Sequence, residues 1–190
     1  MIKKKRLKKN IKQTCLANNI KRPAVFLDRD GTINHDKGYT HRFSDFKFRP
    51  NVIRGLKYLS KKKYLIFIVT NQAGIAKGKF KLWHLIKLHK QIINYLKKKN
   101  IHINEIQYCP YHPNAVIKAF KKNTQYRKPG NLMIKKILSK WNINLKKSFM
   151  IGDQKSDLQA ARKSKLYYEF VKKNFYKQVK KIDKKKVSNY

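Results

Sequence analysis

The chain is short of carboxylates. Its 190 residues carry nine Asp and Glu against 49 Lys and Arg, a formal net charge of +40. Cysteine is scarce too, with Cys15 and Cys109 alone, and long apolar runs are missing. Each shortage excludes something. Two cysteines cannot build the disulfide framework of a small secreted domain, so a reducing cytoplasm is the expected compartment. No stretch nears the ~18 apolar residues of a membrane span. The opening MIKKKRLKKNIKQT is charged with no apolar run behind it, so no secretory signal is expected. There is no glycine-rich loop ending in Lys-Ser/Thr, which argues against a nucleotide kinase. Six residues after Cys109 stands Ala115 rather than Arg, so the signature of a cysteine phosphatase is absent.

The positive charge has two readings. One is attraction to nucleic acid, ribosomes or anionic lipid. The other is compositional drift, because Lys far outnumbers Arg and Asn, Ile, Tyr and Phe are abundant, as A/T-rich codons produce. The lysines are dispersed, which favours a solvated basic surface. Contact with nucleic acid is then expected to be non-specific, and the field favours small phosphorylated substrates.

The hydrophobic fraction of 41% supports one domain with a core. Residues 1–22 read as a basic arm with a short helical piece at 11–17. Residues 23–171 read as an α/β domain, and 172–190 as a basic, frayed tail. Buried strands are expected at Ala24–Asp28, Leu65–Thr70, Ile106–Cys109, Ser148–Ile151 and Leu166–Val171. Helices are expected from Pro50, over Lys79–Lys99, Asn131–Trp141 and Asp157–Lys163, and residues 110–126 read as a long loop. Alternating strands and helices predict a three-layer α/β/α sandwich with a mainly parallel, Rossmann-like sheet and no large cap. Ligands of such sheets sit beyond the carboxyl ends of the strands.

The few acids collect at those ends. Five of the nine lie in VFLDRDGTINHDKGY (25–39) and MIGDQKSD (150–157). The two-residue spacing of Asp28 and Asp30 puts both carboxyl groups on one side of an extended segment. Crowded carboxylates repel until a proton or a cation relieves them, and Mg²⁺ does so while also accepting phosphate oxygens. One carboxylate can then attack phosphorus, and the other can protonate the departing alkoxide and activate water. The turn at Asp28-Arg29-Asp30-Gly31-Thr32 can otherwise be an ordinary polar turn, but its DGT ending directly after an apolar strand favours chemistry. Thr70-Asn71-Gln72-Ala73-Gly74 offers a hydroxyl, an amide and backbone N–H groups to a phosphate, or else only caps a helix. Lys128 can neutralise a phosphoryl group in flight, and Arg127 can fork onto a second phosphate; both can equally be solvated surface charge. Asp153 can complete a Mg²⁺ shell with Asp28 and the backbone carbonyl of Asp30, and Asp157 can orient Lys128. Capping of a helix start is the plainer role for both.

These elements, in this order and spacing, resemble the haloacid dehalogenase (HAD) superfamily of aspartate-nucleophile phosphatases. Within it, FLDRDGTIN with a downstream DKGY, TNQAGIAKGKF, YCPYHP, YRKPG and MIGDQKSD are similar to the D-glycero-D-manno-heptose 1,7-bisphosphate 7-phosphatases. The resemblance runs from about Pro23 to Val171. It implies Asp28 as nucleophile, Asp30 as general acid/base, Thr70 and Lys128 as phosphoryl stabilisers and Arg127 as the substrate-recognition cation. It also implies Asp28, Asp30 and Asp153 as the Mg²⁺ shell. The substrate would be lined by Asp36, Lys37, Gly38, Tyr39, Thr70, Asn71, Gln72, Ala73, Arg127, Lys128 and Gln154. The implied product serves ADP-heptose and lipopolysaccharide core synthesis.

Two departures stand out. Many relatives hold zinc in the long loop with Cys-x-His and Cys-x-Cys. Here Cys109 remains, but Tyr111 stands for the His, and Thr124 and Tyr126 for the later cysteines. One thiolate cannot hold tetrahedral Zn²⁺, so no zinc is expected, and the loop is expected either to be held by packing of Tyr108, Tyr111 and Tyr126 or to be mobile. Gln154 stands where some relatives carry Lys. A monomer acting on a small phosphorylated sugar is the leading expectation. Histidinol-phosphate phosphatase is the near alternative. A basic nucleic-acid-binding protein or a polynucleotide 3′-phosphatase is the alternative of another class, and an inactive relative is a third.

Overall fold

Uninterrupted apolar runs such as AVFL and LIFIV have no polar face to turn to water, so they pair as central strands. The computed structural model of the chain describes residues 20–188; the expected helical piece at 11–17 lies outside them. Five strands, β1 (Ala24–Leu27), β2 (Leu65–Asn71), β3 (Glu105–Cys109), β4 (Phe149–Gly152) and β5 (Tyr167–Phe170), form one parallel sheet in the order β3-β2-β1-β4-β5. Val25 pairs with Ile66 on one side and Phe149 on the other, so β1 lies at the centre.

Alternate strand residues serve opposite faces. Val25, Leu27, Ile66, Ile68, Phe149 and Ile151 meet α1 (Val52–Lys61), α3 (Leu82–Lys97) and α6 (Phe175–Ser188). Ala24, Phe26, Phe67, Val69 and Met150 meet α4 (Leu132–Leu138) and α5 (Lys155–Lys163). The expected three-layer sandwich is therefore present. A one-turn helix, α2 (Ala73–Ala76), follows β2 directly and was not anticipated. No helix among the described residues is long and apolar enough to cross a membrane.

The tail is a correction. Residues 172–190 read as frayed because lysines crowd them, yet Phe175–Ser188 is helical and packs along α1. Phe175, Val179 and Ile182 share one face and are buried. Gly55 of α1 lets the Phe175 ring approach closely, in space that a side chain would fill. The join also has a polar lock: the buried Asp183 accepts hydrogen bonds from Tyr58 (2.6 Å) and Tyr64 (2.8 Å). Burial and this carboxylate both push the two phenols above their ordinary pKa. At the other end Arg22, assigned to the arm, donates to the carbonyl of Lys63 (2.8 Å) and bridges to Ile143.

Asp183→Ala leaves two partly or fully buried hydroxyls without their acceptor. We expect it to cost about 2–4 kcal/mol of stability, read from urea unfolding. An unchanged midpoint would show that the bonds to Asp183 contribute nothing to the docking of α6.

Candidate active site

The central strands end together, and the side chains just past them face one another. Asp28 follows β1, Thr70 and Asn71 close β2, and Asp153 follows β4. Asp157 sits in the first turn of α5 and accepts from the Gln154 N–H at 3.0 Å, which ties the start of the helix to the loop. Lys128 arrives from the loop before α4 and is buried among them. Its Nζ lies 2.6 Å from Asp28 Oδ1 and 2.5 Å from Asp157 Oδ1, and it donates to the carbonyl of Val69 at 2.8 Å. Its backbone is fixed as well. The Lys128 N–H donates to Asn71 Oδ1, and Asn71 Nδ2 donates back to the Lys128 carbonyl, each at 3.0 Å. Asn71 thus positions the lysine while lining the same cavity.

The charges do not balance. Oxygens of Asp28, Asp153 and Asp157 lie within 4.8 Å of one another, against the one ammonium of Lys128. Burial pushes the Asp28 carboxyl up to about 8; Lys128 opposes this, and Asp157 and Asp30 add to it. Burial alone would lower Lys128, but the two carboxylates outweigh it and hold its pKa above the ordinary value. An all-oxygen carboxylate set with surplus negative charge suits a hard divalent cation. Gly31 completes the fit. Its φ is +76°, and a side chain there would run into the Asp153 carboxylate. Thr32 Oγ1 also reaches Asp153 Oδ1, at 3.5 Å.

Asp30 is held differently. Its carboxylate accepts from Arg29 Nη2 (2.7 Å), Asn34 Nδ2 (3.0 Å) and Gln72 Nε2 (2.9 Å). Arg29 is wholly buried, donates also to the Thr40 carbonyl at 2.8 Å and stands 3.2 Å from His89 Nε2 of α3. Burial, then Arg29, lowers the imidazole to about 3, so it stays neutral beside the guanidinium. Sequence reasoning missed Arg29, Asn34 and His89. The available signal was alternation: a segment that sends residues 28 and 30 one way sends Arg29 inward, where a guanidinium needs partners.

The cavity is about 300 Å³ and is lined by Asp28, Asp30, Asp36, Thr70, Asn71, Arg127, Lys128, Asp153, Gln154, Ser156 and Asp157. Lys37, Gly38, Tyr39, Gln72 and Ala73 do not line it. The first three are exposed, and Gln72 is buried, bonding Asp30 and the Thr70 hydroxyl (2.8 Å). A roomier hollow of about 410 Å³ with Arg49 and Lys173 on its wall adjoins through Asp36, but it holds none of the paired carboxylates. Arg127 is half-buried, and burial lowers its pKa. Cys109 is buried, which raises its thiol pKa. Tyr111 and Tyr126 pack on the core beside it, and Tyr108 packs on a smaller cluster.

Comparison with known proteins places the chain among phosphatases of the same fold. A family model described as polynucleotide kinase 3 phosphatase matches residues 24–188. A D-glycero-beta-D-manno-heptose-1,7-bisphosphate 7-phosphatase of Photorhabdus laumondii is 42% identical over 144 residues, 76% of this chain and 77% of that one. A HAD-like phosphatase structure from Mesorhizobium loti superposes with a TM-score of 0.77 at 23% identity, over 86% of this chain and 87% of the other. The D,D-heptose 1,7-bisphosphate phosphatase of B. bronchiseptica, complexed with magnesium and phosphate, gives 0.71 at 23% identity, over 84% and 86% of the two chains.

The raised Asp28 carboxyl has a thermodynamic sign. Between the unfolded value of 3.8 and about 8, the folded state binds the extra proton. This group therefore makes the metal-free protein less stable as pH rises through that window. A divalent cation competes for the same oxygens, so Mg²⁺ should raise the melting temperature more at pH 8 than at pH 5. Equal shifts at both values, in calorimetry with and without Mg²⁺, would separate the cation from Asp28.

Proposed function

The chain belongs to the D-glycero-D-manno-heptose-1,7-bisphosphate 7-phosphatase family of the HAD superfamily, and from that premise we propose that it removes the 7-phosphate of this sugar bisphosphate. The carrying observation is the buried contact of Asp28 with Lys128, opening onto a cavity of oxygen donors. Asp28 Oδ attacks phosphorus, and the bond from phosphorus to the sugar oxygen breaks. The departing alkoxide takes its proton from the Asp30 carboxyl. Asp30, now a carboxylate, takes a proton from water, which attacks the aspartyl-phosphate and releases inorganic phosphate with Asp28 restored. Lys128 and the Thr70 hydroxyl stabilise the phosphoryl oxygens. Arg29, Asn34 and Gln72 keep the Asp30 carboxylate in one orientation through both steps. Asp28, Asp153 and the Asp30 carbonyl would hold Mg²⁺, which when bound neutralises charge on the nucleophile and the phosphate together. Arg127 engages the second phosphate, with Asp36, Asn71 and Gln154 beside the sugar. The reaction serves supply of activated heptose, in a cytoplasmic and monomeric enzyme.

The description of the matching family model raises a second reading, a 3′-phosphatase acting on polynucleotides. The lining of the cavity argues against it. Single strands are gripped by aromatic rings that stack on bases, and among the described residues no aromatic side chain lines this cavity.

Phosphate release from the bisphosphate, from histidinol phosphate and from a 3′-phosphorylated oligonucleotide separates the readings. The bisphosphate should have the highest kcat/KM, and activity should require Mg²⁺. Asp28→Asn should lower kcat by about 10³-fold or more. Near-equal activity of that variant would remove the nucleophile from the scheme, and preference for the oligonucleotide would reverse the substrate reading. Metal analysis of the active protein should find no stoichiometric zinc; one equivalent would show that the 110–126 loop holds an ion.

A further inference from the structure

The loop carrying Arg127 and Lys128 leaves β3 at Cys109 and returns to the site at Tyr126. Its return is tied to the sheet by a chain of hydrogen bonds. Tyr126 Oη donates to Gln107 Oε1 at 2.8 Å. Gln107 Nε2 donates to Glu105 Oε1. Glu105 also accepts from Lys140 Nζ at 2.9 Å and from Trp141 Nε1 at 3.1 Å, both beyond the C-terminal end of α4. Glu105 and Gln107 stand two apart on β3, so they present one face to the returning chain. Burial alone would raise Glu105, but bonds from Lys140, Trp141 and Gln107 hold its carboxyl below the ordinary value. Lys136 Nζ sits 5.5 Å from the centre of the Tyr126 ring.

The neighbouring backbone is tied down too. The Tyr126 N–H donates to Thr124 Oγ1 at 3.1 Å, and the Arg127 N–H to the Thr124 carbonyl at 3.1 Å. Gly130 N–H donates to the Arg127 carbonyl at 2.7 Å. Among the described residues the Arg127 guanidinium itself makes one long hydrogen bond, 3.5 Å, to the carbonyl of Tyr111. The side chain expected to meet a second phosphate is therefore placed mainly by the segment that Tyr126 holds.

We propose that Tyr126, through Gln107 and Glu105, is a positioning residue that sets Arg127 for the distal phosphate. It does so with a hydroxyl and a carboxylate in a loop whose positions 111, 124 and 126 carry neither cysteine nor histidine. The inference rests on the phosphatase reading for its substrate, but the linkage itself can be tested without substrate.

Tyr126→Phe removes only the hydroxyl, and Glu105→Gln removes the charge and one of the two acceptor oxygens. For Tyr126→Phe we expect KM for the bisphosphate to rise about fivefold, the scale of one lost hydrogen bond. KM for p-nitrophenyl phosphate, which has no second anion, should stay within about twofold. In an Arg127→Ala background the same change should leave KM for the bisphosphate where it was, because the group it acts through is gone. Amide hydrogen exchange of 124–131 should be faster in both variants, at unfolding midpoints close to the parent. Equal losses on both substrates, persistence of the effect without Arg127, or unchanged exchange would overturn the proposal. If the parent protein is inert towards the bisphosphate, the substrate reading fails and the exchange measurement still decides the linkage.

Discussion

One buried ammonium holds the site together. Lys128 Nζ touches Asp28, Asp157 and the carbonyl of Val69, so a single group joins the ends of β1 and β2 and the start of α5. Such a cluster is costly to bury, and removing one partner leaves another charge stranded. The surrounding structure is what makes it tolerable. The strand order puts β1 between β2 and β4, so residues from three strand ends converge without any loop having to reach across. Asn71 clasps the backbone of Lys128 at both its N–H and its carbonyl, which fixes the point on the loop from which the side chain reaches. The remaining surplus of negative charge is what a divalent cation needs to find there, and the cation in turn offsets the repulsion that an anionic phosphate would meet.

The two aspartates of the first motif have different surroundings, and that difference separates their roles. Asp28 lies against Lys128 among other carboxylates and is the group exposed to a cation's influence. Asp30, two residues on, is gripped by Arg29, Asn34 and Gln72 and is not one of the clustered carboxylates. A proton carrier must return to one orientation after each transfer, and several fixed donors provide this. The grip extends from Asp30 through Arg29 to the carbonyl of Thr40, next to the exposed 36–39 segment. Asp30 is therefore connected to the stretch beside the cavity mouth as well as to the sheet.

What could be read from the sequence follows from how each element is stabilised. The central strands and the motif residues at their ends were legible, because continuous apolar runs and short polar turns are local patterns. The α6 helix was not: Phe175, Val179 and Ile182 are spaced correctly, but intervening lysines mask the stripe, and its stability comes from Gly55 and two tyrosines more than a hundred residues earlier. The short α2 turn was hidden for a similar reason. Its backbone is held in part by residues 116 and 117, which donate to the Ala76 carbonyl at 3.0 Å. Arg29 was overlooked because one arginine among 49 basic residues does not stand out by composition, and only its alternation with Asp28 and Asp30 marks it as inward-facing.

The scarce acids make the same point across the whole chain. Asp28, Asp30, Asp153 and Asp157 build the site. Asp183 locks α6 to α1, Glu105 anchors the end of the loop, and Glu169 accepts from Gln178 of α6 at 3.1 Å. At each of these positions the partners are donors: phenols, amides, an aliphatic hydroxyl, an indole, an ammonium or a guanidinium. A lysine there would set donor against donor and leave a buried charge without a counter-ion. On the solvated surface a lysine costs little, since water hydrates the ammonium and salt screens its neighbours. A chain can therefore carry a charge of +40 and remain folded, provided most of its few carboxylates occupy the places where only an acceptor will serve.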